Sequence, residues 1–466
     1  MKRRLVSDIE RAVLMGVLAF ITALTITLSF RSIIRGIVTS ADTASASPEV
    51  DVLDRVPSPS TIEDEIFALL PKSGMKYAVD AGFISFCAEN PDINTDGMFL
   101  QMALTRLETN GYDDSMWEDL TGYTFSVLYD IYTGAAEEQD NIHVVGELYY
   151  PRKITFAFAG DVNLSDGWFI MDAFRGHNYD INACFSPDLL DTMRAADIFL
   201  INNEYSISNR GARLPGKMYT FRASPANVSI LGEIGVDIVS LANNHVYDYG
   251  PDAFDDTLAA LRDAGIPYVG AGANIEEAKK PQYYIAGGMK YAIVAASCAE
   301  KNIFTPAATS SSGGIMYTYD PTDFLDVIRE AAAVSDYVIA YVHWGDENTN
   351  RVNDMQRQLA RAYIDAGADI VIGAHPHTLQ PFEYYNDKLI VYSLGNYWFN
   401  THETDTILLT VSKSVGIKET VKIHAAEQRD GGVYTSDEAS LRIISYIKSM
   451  SPGVSISRDG VVTKEK

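Results

Sequence analysis

An aspartate, then at once a short apolar run, then a polar cluster: this order recurs four times in the chain. Asp197 opens the run 198–201, which ends in Asn202, Asn203 and Glu204. Asp237 opens 238–241, ending in Asn243, Asn244 and His245. Asp336 leads through 337–342 to His343, Trp344 and Gly345, and Asp369 through 370–372 to Gly373, Ala374, His375, Pro376 and His377. Two further runs behave alike: 154–159 ends in Gly160 and Asp161, and 389–393 ends in Leu394, Gly395 and Asn396. Runs this short and this apolar read as buried strands rather than helices. Helical stretches separate them at uneven spacing, which excludes a fixed-period solenoid and matches a layered α/β domain.

In open α/β sheets ligands gather outside the carboxyl ends of the strands, and that is where the chemically able residues fall. His245, His343, His375 and His377 are four of the eight histidines, and Asp161, Glu204 and Asn244 stand beside them. His375 and His377 follow a strand, and an extended chain would turn both rings the same way. Alone, each cluster reads as a turn or a cap. Together, carboxylate, amide and imidazole donors suit a hydrolytic centre of one or two divalent ions, Mn, Fe or Zn, better than Ca or Mg.

The net charge of −25 excludes general nucleic-acid binding, which needs a basic surface. Three cysteines, Cys87, Cys184 and Cys298, lie too far apart for a Cys-based zinc module. Residues 12–30 carry no charge and are long enough to cross a bilayer; Lys2, Arg3, Arg4 and Arg11 precede them. We expect a single-pass membrane anchor in residues 1–37, with the main domain outside the cell. The rival is a cleaved signal peptide ending near Ala44–Ala46. Residues 38–61, rich in Ser, Ala and Pro, form a linker. Residues 62–150 read as mainly helical, with no legible role. Asp92, Asn94, Asp96 and Gly97 copy half of an EF-hand loop, but Ala103 stands where its bidentate Glu belongs. A helix-capping turn is the better reading.

The motifs Gly160-Asp161, Asn203-Glu204, Ala242-Asn243-Asn244-His245 with Asp248, His343-Trp344-Gly345 with Glu347, Gly373 to His377, and Ser393 to Asn396 come in one order. In that order the chain resembles the CapA/PgsA poly-γ-glutamate capsule synthesis family, related in fold to calcineurin-like metallophosphoesterases. The resemblance covers about residues 153–400. It implies a metallophosphatase-like fold of helices packed around β-sheets across residues 151–466. It also implies a role for each motif. Asp161 and His377 would serve one metal, Glu204 would bridge, and Asn244, His343 and His375 would serve the second. His245 with Asp248 would act as catalytic acid, and Glu347 and Asn396 would face substrate. One departure is plain: Asn163 stands where the metallophosphoesterase motif carries a histidine ligand, which weakens the first metal position.

Residues 205–232 add Arg210, Arg213, Lys217 and Arg222 with no acid among them. Gly211, Pro215, Gly216 and Pro225 mark the stretch as loop rather than helix. It is expected to bind an anionic substrate at the cleft rim through the planar fork of arginine. The function implied is a membrane-anchored extracellular protein of poly-γ-glutamate synthesis, export or attachment, with membrane synthase partners. The alternatives are a secreted or anchored metal-dependent phosphoesterase acting on a phosphate ester, and a non-catalytic scaffold for anionic polymer. The tail, with strands at 406–411 and 420–424 and a helix at 438–450, is expected to pack on the main domain.

Overall fold

The computed structural model describes residues 141–145, 152–287, 289–300, 304–399, 402–414 and 417–465. The expected anchor, the linker, the EF-hand-like turn and Cys87 lie outside these residues. Among the described residues no helix is long and apolar enough to cross a membrane. The chain divides into two compact units. Of residues 1–152 in the first, the structure describes a short strand, Ile142–Val145, within a stretch read from sequence as mainly helical. The first unit also takes in Ile285–Met289 and Ser414–Ile417; the second, Lys153–Tyr284, Lys290–Lys413 and Lys418–Lys466, carries the rest.

Its principal strands, in chain order, are β1 (Ile154–Val162), β2 (Ile198–Asn203), β3 (Ile238–Ser240) and β4 (Tyr268–Val269). Next come β5 (Met289–Ser297), β6 (Tyr337–His343), β7 (Ile370–Ala374), β8 (Phe382–Tyr385) and β9 (Lys388–Val391). The last three are β10 (Asn396–Trp398), β11 (Thr404–Ser414) and β12 (Ile417–Arg429). The main helices are α1 (Phe169–Gly176), α2 (Pro187–Arg194), α3 (Val228–Glu233), α4 (Pro251–Asp263), α5 (Thr322–Val334), α6 (Asp354–Ala366) and α7 (Asp437–Met450).

Two sheets result, in a mixed α/β architecture. One runs β12-β11-β1-β2-β3-β4, parallel from β1 to β4, with β10 added beside the end of β1. The other contains β5-β6-β7-β9 in parallel with β8 antiparallel at its side. Period-two alternation divides each strand between two faces. Ala157, Ala159, Phe199, Ile201 and Val239 pack with the apolar stripes of α1 to α4. Val294, Val338, Ala340, Val342 and Val371 do the same with α5 and α6. The opposite faces meet: the Phe156 ring stands edge-on to Tyr291 at 4.9 Å, and the Tyr341 hydroxyl donates to the Ala159 carbonyl at 2.8 Å. Burying each Leu, Ile or Phe in these layers contributes about 1.5–3 kcal/mol.

The four recurrent aspartates have one structural task. Asp197 donates its N–H to the Thr155 carbonyl, and its carboxylate accepts the Thr155 N–H at 2.8 Å. Asp237 does this to Phe199, Asp336 to Lys290, and Asp369 to Val338, with carboxylate bonds of 2.8, 2.9 and 2.9 Å. At the start of a parallel strand one neighbouring N–H would otherwise lack an acceptor. Each aspartate supplies it and so locks the register of its strand against the one before. Asp369 also pairs with Lys388 at the start of β9.

Some boundaries differ from the sequence reading. β1 runs on through Gly160 and Asp161, and its register against β2 shifts between Phe158 and Asp161, a bulge just before the first acid. Within 205–232, residues from Val228 onward form α3 instead of loop, because Pro225 opens a short 3-10 turn that leads into it. The tail strands are longer than expected, and β11 pairs antiparallel with β1, Leu409 opposite Phe158. Cys184 and Cys298 are free and buried, and burial first of all pushes their thiols up to about 12 and about 11.

Two outcomes are expected. Asp369→Ala should lower unfolding stability by about 2 kcal/mol, since it strips a charged acceptor from a buried N–H. Asp369→Asn, which keeps an acceptor, should lose less; equal denaturation midpoints for Ala and wild type would remove the staple's role. Gly160 is the second test, because a Cβ there would lie 1.9 Å from the Gly395 carbonyl oxygen. Gly160→Ala should cost about 2–3 kcal/mol by forcing the two backbones apart, read as a lowered thermal midpoint.

Candidate metal centre

The carboxyl ends of β1, β2, β3, β6 and β7 bring the polar clusters to one buried place. Asp161 lies on β1, opposite Asn396 of β10 in the ladder. Glu204 follows β2 and is tied back by its N–H to the Val162 carbonyl. His343 ends β6; Asn244 and His245 follow β3. Asp161, Glu204 and His343 are fully buried, and Asn244, His245 and His375 nearly so.

Two groups of donors share Glu204. In one, ligand atoms of Glu204, His343 and His375 lie within 4.8 Å of one another; in the other, those of Asp161, Glu204 and His377 do. The Asn244 side-chain oxygen joins the first group through His343 Nε2 at 2.8 Å. All six residues that the sequence nominated as ligands are thus brought together.

The histidine pair arrives by another route than expected. β7 stops at Ala374, and His375 and His377 take φ of 99° and 57° instead of extended values. A left-handed backbone at a residue with a Cβ is costly, and it persists only where surrounding contacts hold it. Here the His375 N–H donates to Asp161 Oδ2 at 3.3 Å, and Leu394 N–H donates to the Gly373 carbonyl at 3.0 Å. Gly373 is obligatory, since a Cβ would lie 2.0 Å from the Tyr392 oxygen. The rings of His375 and His377 end 5.9 Å apart, and those of His343 and His375 4.6 Å apart.

The ring hydrogens follow from the partners. His377 Nδ1 faces two acceptors, Asn396 Oδ1 at 2.8 Å and Asp161 Oδ2 at 3.3 Å, so it carries the proton and leaves Nε2 free. His245 Nδ1 donates to Asp248 Oδ2 at 2.7 Å, which turns Nε2 towards Glu204 Oε1, 3.9 Å away. Burial, then the neighbouring imidazoles, push His343 and His375 well below the ordinary range, so both are neutral. For His377 burial opposes the charge, but the hydrogen bond and charge of Asp161 outweigh it and the ring is pushed up. Burial, followed by the charge of Asp161, pushes the Glu204 carboxyl well up.

Sequence reasoning missed two residues that hold this together. The Asn202 amide nitrogen lies 2.8 Å from Asp161 Oδ1, 3.1 Å from His343 Nδ1 and 3.4 Å from Glu204 Oε2. Asn243 donates to Asn202 Oδ1 at 2.9 Å, and its own oxygen accepts the His245 N–H at 3.0 Å. The signal was present as tandem asparagines at two strand ends. A short side chain carrying both donor and acceptor suits cross-linking such ends. Asn163 is buried, its oxygen accepts the Ser165 N–H at 3.0 Å, and its amide nitrogen has no hydrogen-bond partner among the described residues.

The basic residues of 205–232 part company. Arg210 grips Asp256 of α4, Nε lying 3.0 Å from Oδ2. Arg213 donates to the Tyr249 hydroxyl at 3.2 Å. Arg222 lies over the Tyr249 ring and donates to the Arg210 carbonyl at 2.8 Å. Lys217 alone of the four bonds to Asp248 and to the Asn244 carbonyl. Glu347 is exposed, but its charge still acts on Glu204 and His377. Asn396 is buried behind His377.

Divalent cations fit this donor set. Among the described residues Glu204 Oε1 and His375 Nδ1 are buried without a hydrogen-bond partner, and two carboxylates lie beside the neutral rings of His343 and His375. An unpaired buried carboxylate is costly unless a cation meets it.

Residues 155–401 match the family described as bacterial capsule synthesis protein PGA_cap. The PGA biosynthesis protein CapA of Bacillus subtilis is 36% identical over 46% of this chain and 56% of its own. The capsule biosynthesis protein CapA of Bacillus anthracis is 36% identical over 40% and 45%. A probable polyglutamine synthesis accessory protein of Mycobacterium tuberculosis is 33% identical over 43% and 55%. The chain therefore spans about half the length of the curated relatives it matches.

Proposed function

Because the chain belongs to the bacterial capsule synthesis protein PGA_cap family, we propose that it serves poly-γ-glutamate capsule synthesis, export or attachment through a metal-dependent hydrolytic site. The observation that carries this reading is the pair of donor groups sharing Glu204. A buried carboxylate shared by two donor groups is an arrangement that a bound cation would stabilise and that a plain scaffold has no use for. The two facing sheets with helices outside are what a metallophosphatase-like domain requires. The printed names of the Bacillus relatives, which give PGA and capsule biosynthesis, support an anionic polymer as partner.

In this reading Asp161, Glu204 and His377 would hold one divalent ion, and Glu204, Asn244, His343 and His375 would hold a second. When bound, such ions lower the pKa of a coordinated water and stabilise negative charge on the substrate. The chain's own residues do the rest. Asn202 fixes the aim of Asp161 and His343. Asp248 holds the proton on His245 Nδ1, and His245 Nε2 presents a proton to a leaving group. Asn396 orients His377. A phosphate ester is a substrate class that divalent ions beside a proton-donating imidazole would suit, and the dyad His245–Asp248 favours catalysis over polymer binding alone. Residues 12–30 would anchor this domain at the outer face of the cell membrane.

Elemental analysis of the purified chain should show bound Mn, Fe or Zn. His375→Ala and Glu204→Ala should each lose at least half of it. His245→Ala should keep the metal while hydrolysis of an aryl phosphate falls by about 10²-fold or more. Equal metal content in wild type and His375→Ala would sink the ligand assignment. Protease added to intact cells should release the domain of residues 153–400 and leave a membrane-bound stub; recovery of intact chain from the cytosol would refute the anchor.

A further inference from the structure

Lys217 was expected at an exposed rim, yet its side chain is only 4% exposed. Its neighbours Met218 and Tyr219 are 86% and 59% exposed, so the loop turns this one residue inward. A buried ammonium needs close partners to offset its lost hydration. It has three: Asp248 Oδ1 at 2.9 Å, Glu300 Oε2 at 3.3 Å, and the Asn244 carbonyl. The Phe304 ring closes the side, 5.7 Å from Nζ.

Asp248 is the point where these contacts become specific. One carboxylate oxygen meets Lys217, while the other accepts both His245 Nδ1–H and the Phe221 N–H, each at 2.7 Å. The Asp248 carbonyl accepts the Leu214 N–H at 2.9 Å. Three residues of the loop, Leu214, Lys217 and Phe221, thus converge on one buried aspartate. The Phe221 ring also packs on His245, 4.5 Å away. Without the ammonium, Oδ1 would be a buried anionic oxygen with nothing opposite it, and the carboxylate would be free to rotate away from His245.

We propose that Lys217 is the positioning residue of the site: its ammonium pins Asp248 so that His245 keeps its proton on Nδ1 and its Nε2 aimed at the Glu204 side. This rests on the hydrolytic reading above. The loop is then less a polymer-binding rim than a strap that sets the angle of the proton-donating ring. Lys217 touches no donor atom of the proposed ligands, since its contact with Asn244 is to the main-chain carbonyl. Metal content should not depend on it.

The test compares full-length wild type with Lys217→Met and Lys217→Arg, each labelled with ¹⁵N-histidine and loaded with zinc. His245 is assigned from the signal lost in His245→Gln. In Lys217→Met the Nδ1–H signature of His245 should disappear or split, with zinc stoichiometry unchanged. The kcat for an aryl phosphate should fall by about 10²-fold with KM within about twofold. Lys217→Arg, which keeps a cation near Asp248, should recover part of both. A folded Lys217→Met with wild-type ring signals and wild-type kcat overturns the proposal. If wild type itself shows no turnover, the hydrolytic reading fails and the ring signals alone decide the positioning role. Should Lys217→Met not fold, Lys217→Gln replaces it, with the same expectation and the same overturning result.

Discussion

Glu204 is the constraint around which the domain is arranged. It is fully buried, one of its oxygens has no hydrogen-bond partner among the described residues, and Asp161 stands beside it. Few arrangements are less favourable for a carboxylate in the absence of a cation. The surrounding residues do not neutralise it; they hold it in place. Asn202 bonds at once to Asp161 and His343 and lies near Glu204 itself. Asn243 steadies Asn202 in turn. A site that gathers two buried carboxylates beside the neutral rings of His343 and His375 offers a donor set that a positive ion would fit, and the amides of Asn202 and Asn243 hold that set in place.

That rigidity extends along the strands. The same strands that carry donors at their carboxyl ends begin, at β2, β3, β6 and β7, with an aspartate stapled to the strand before. A staple at one end fixes register, and register fixes where the other end stops. Close approaches complete the placement. At Gly160 and Gly373 backbone meets backbone, so the loops bearing Asn396 and the histidine pair press directly onto the strand ends. The β11 strand lies beyond the family match yet pairs with β1, so it braces the strand that carries Asp161.

Asp248 plays a comparable part outside the donor set. It takes bonds from the ring of His245, from Lys217 and from two backbone N–H groups of the preceding loop. In a chain of net charge −25, the acid-free loop spends its cations internally. Arg210 ties it to α4, Arg222 closes it on itself, and Lys217 locks it to the site. Exposed ion pairs contribute little, whereas the buried pair of Lys217 with Asp248 is shielded from water and from salt.

Sequence alone located the strands of the site and nominated the six residues that the fold gathers there, because apolar runs mark buried strands and the polar residues at their ends fall at one edge. It also carried the family resemblance and the charge pattern of 205–232. It could not show the bulge before Asp161 or the left-handed turn that brings His375 and His377 together, since both lie where β1 meets the loops after β7 and β9, which only the fold brings together. Nor could it tell Lys217 from Arg210, Arg213 and Arg222. All four are cations in one loop, and only the folded backbone decides which of them faces inward. The same holds for Asn202 and for the four strand-opening aspartates. Their roles are hydrogen bonds to neighbouring strands, and those neighbours exist only once the sheets have formed.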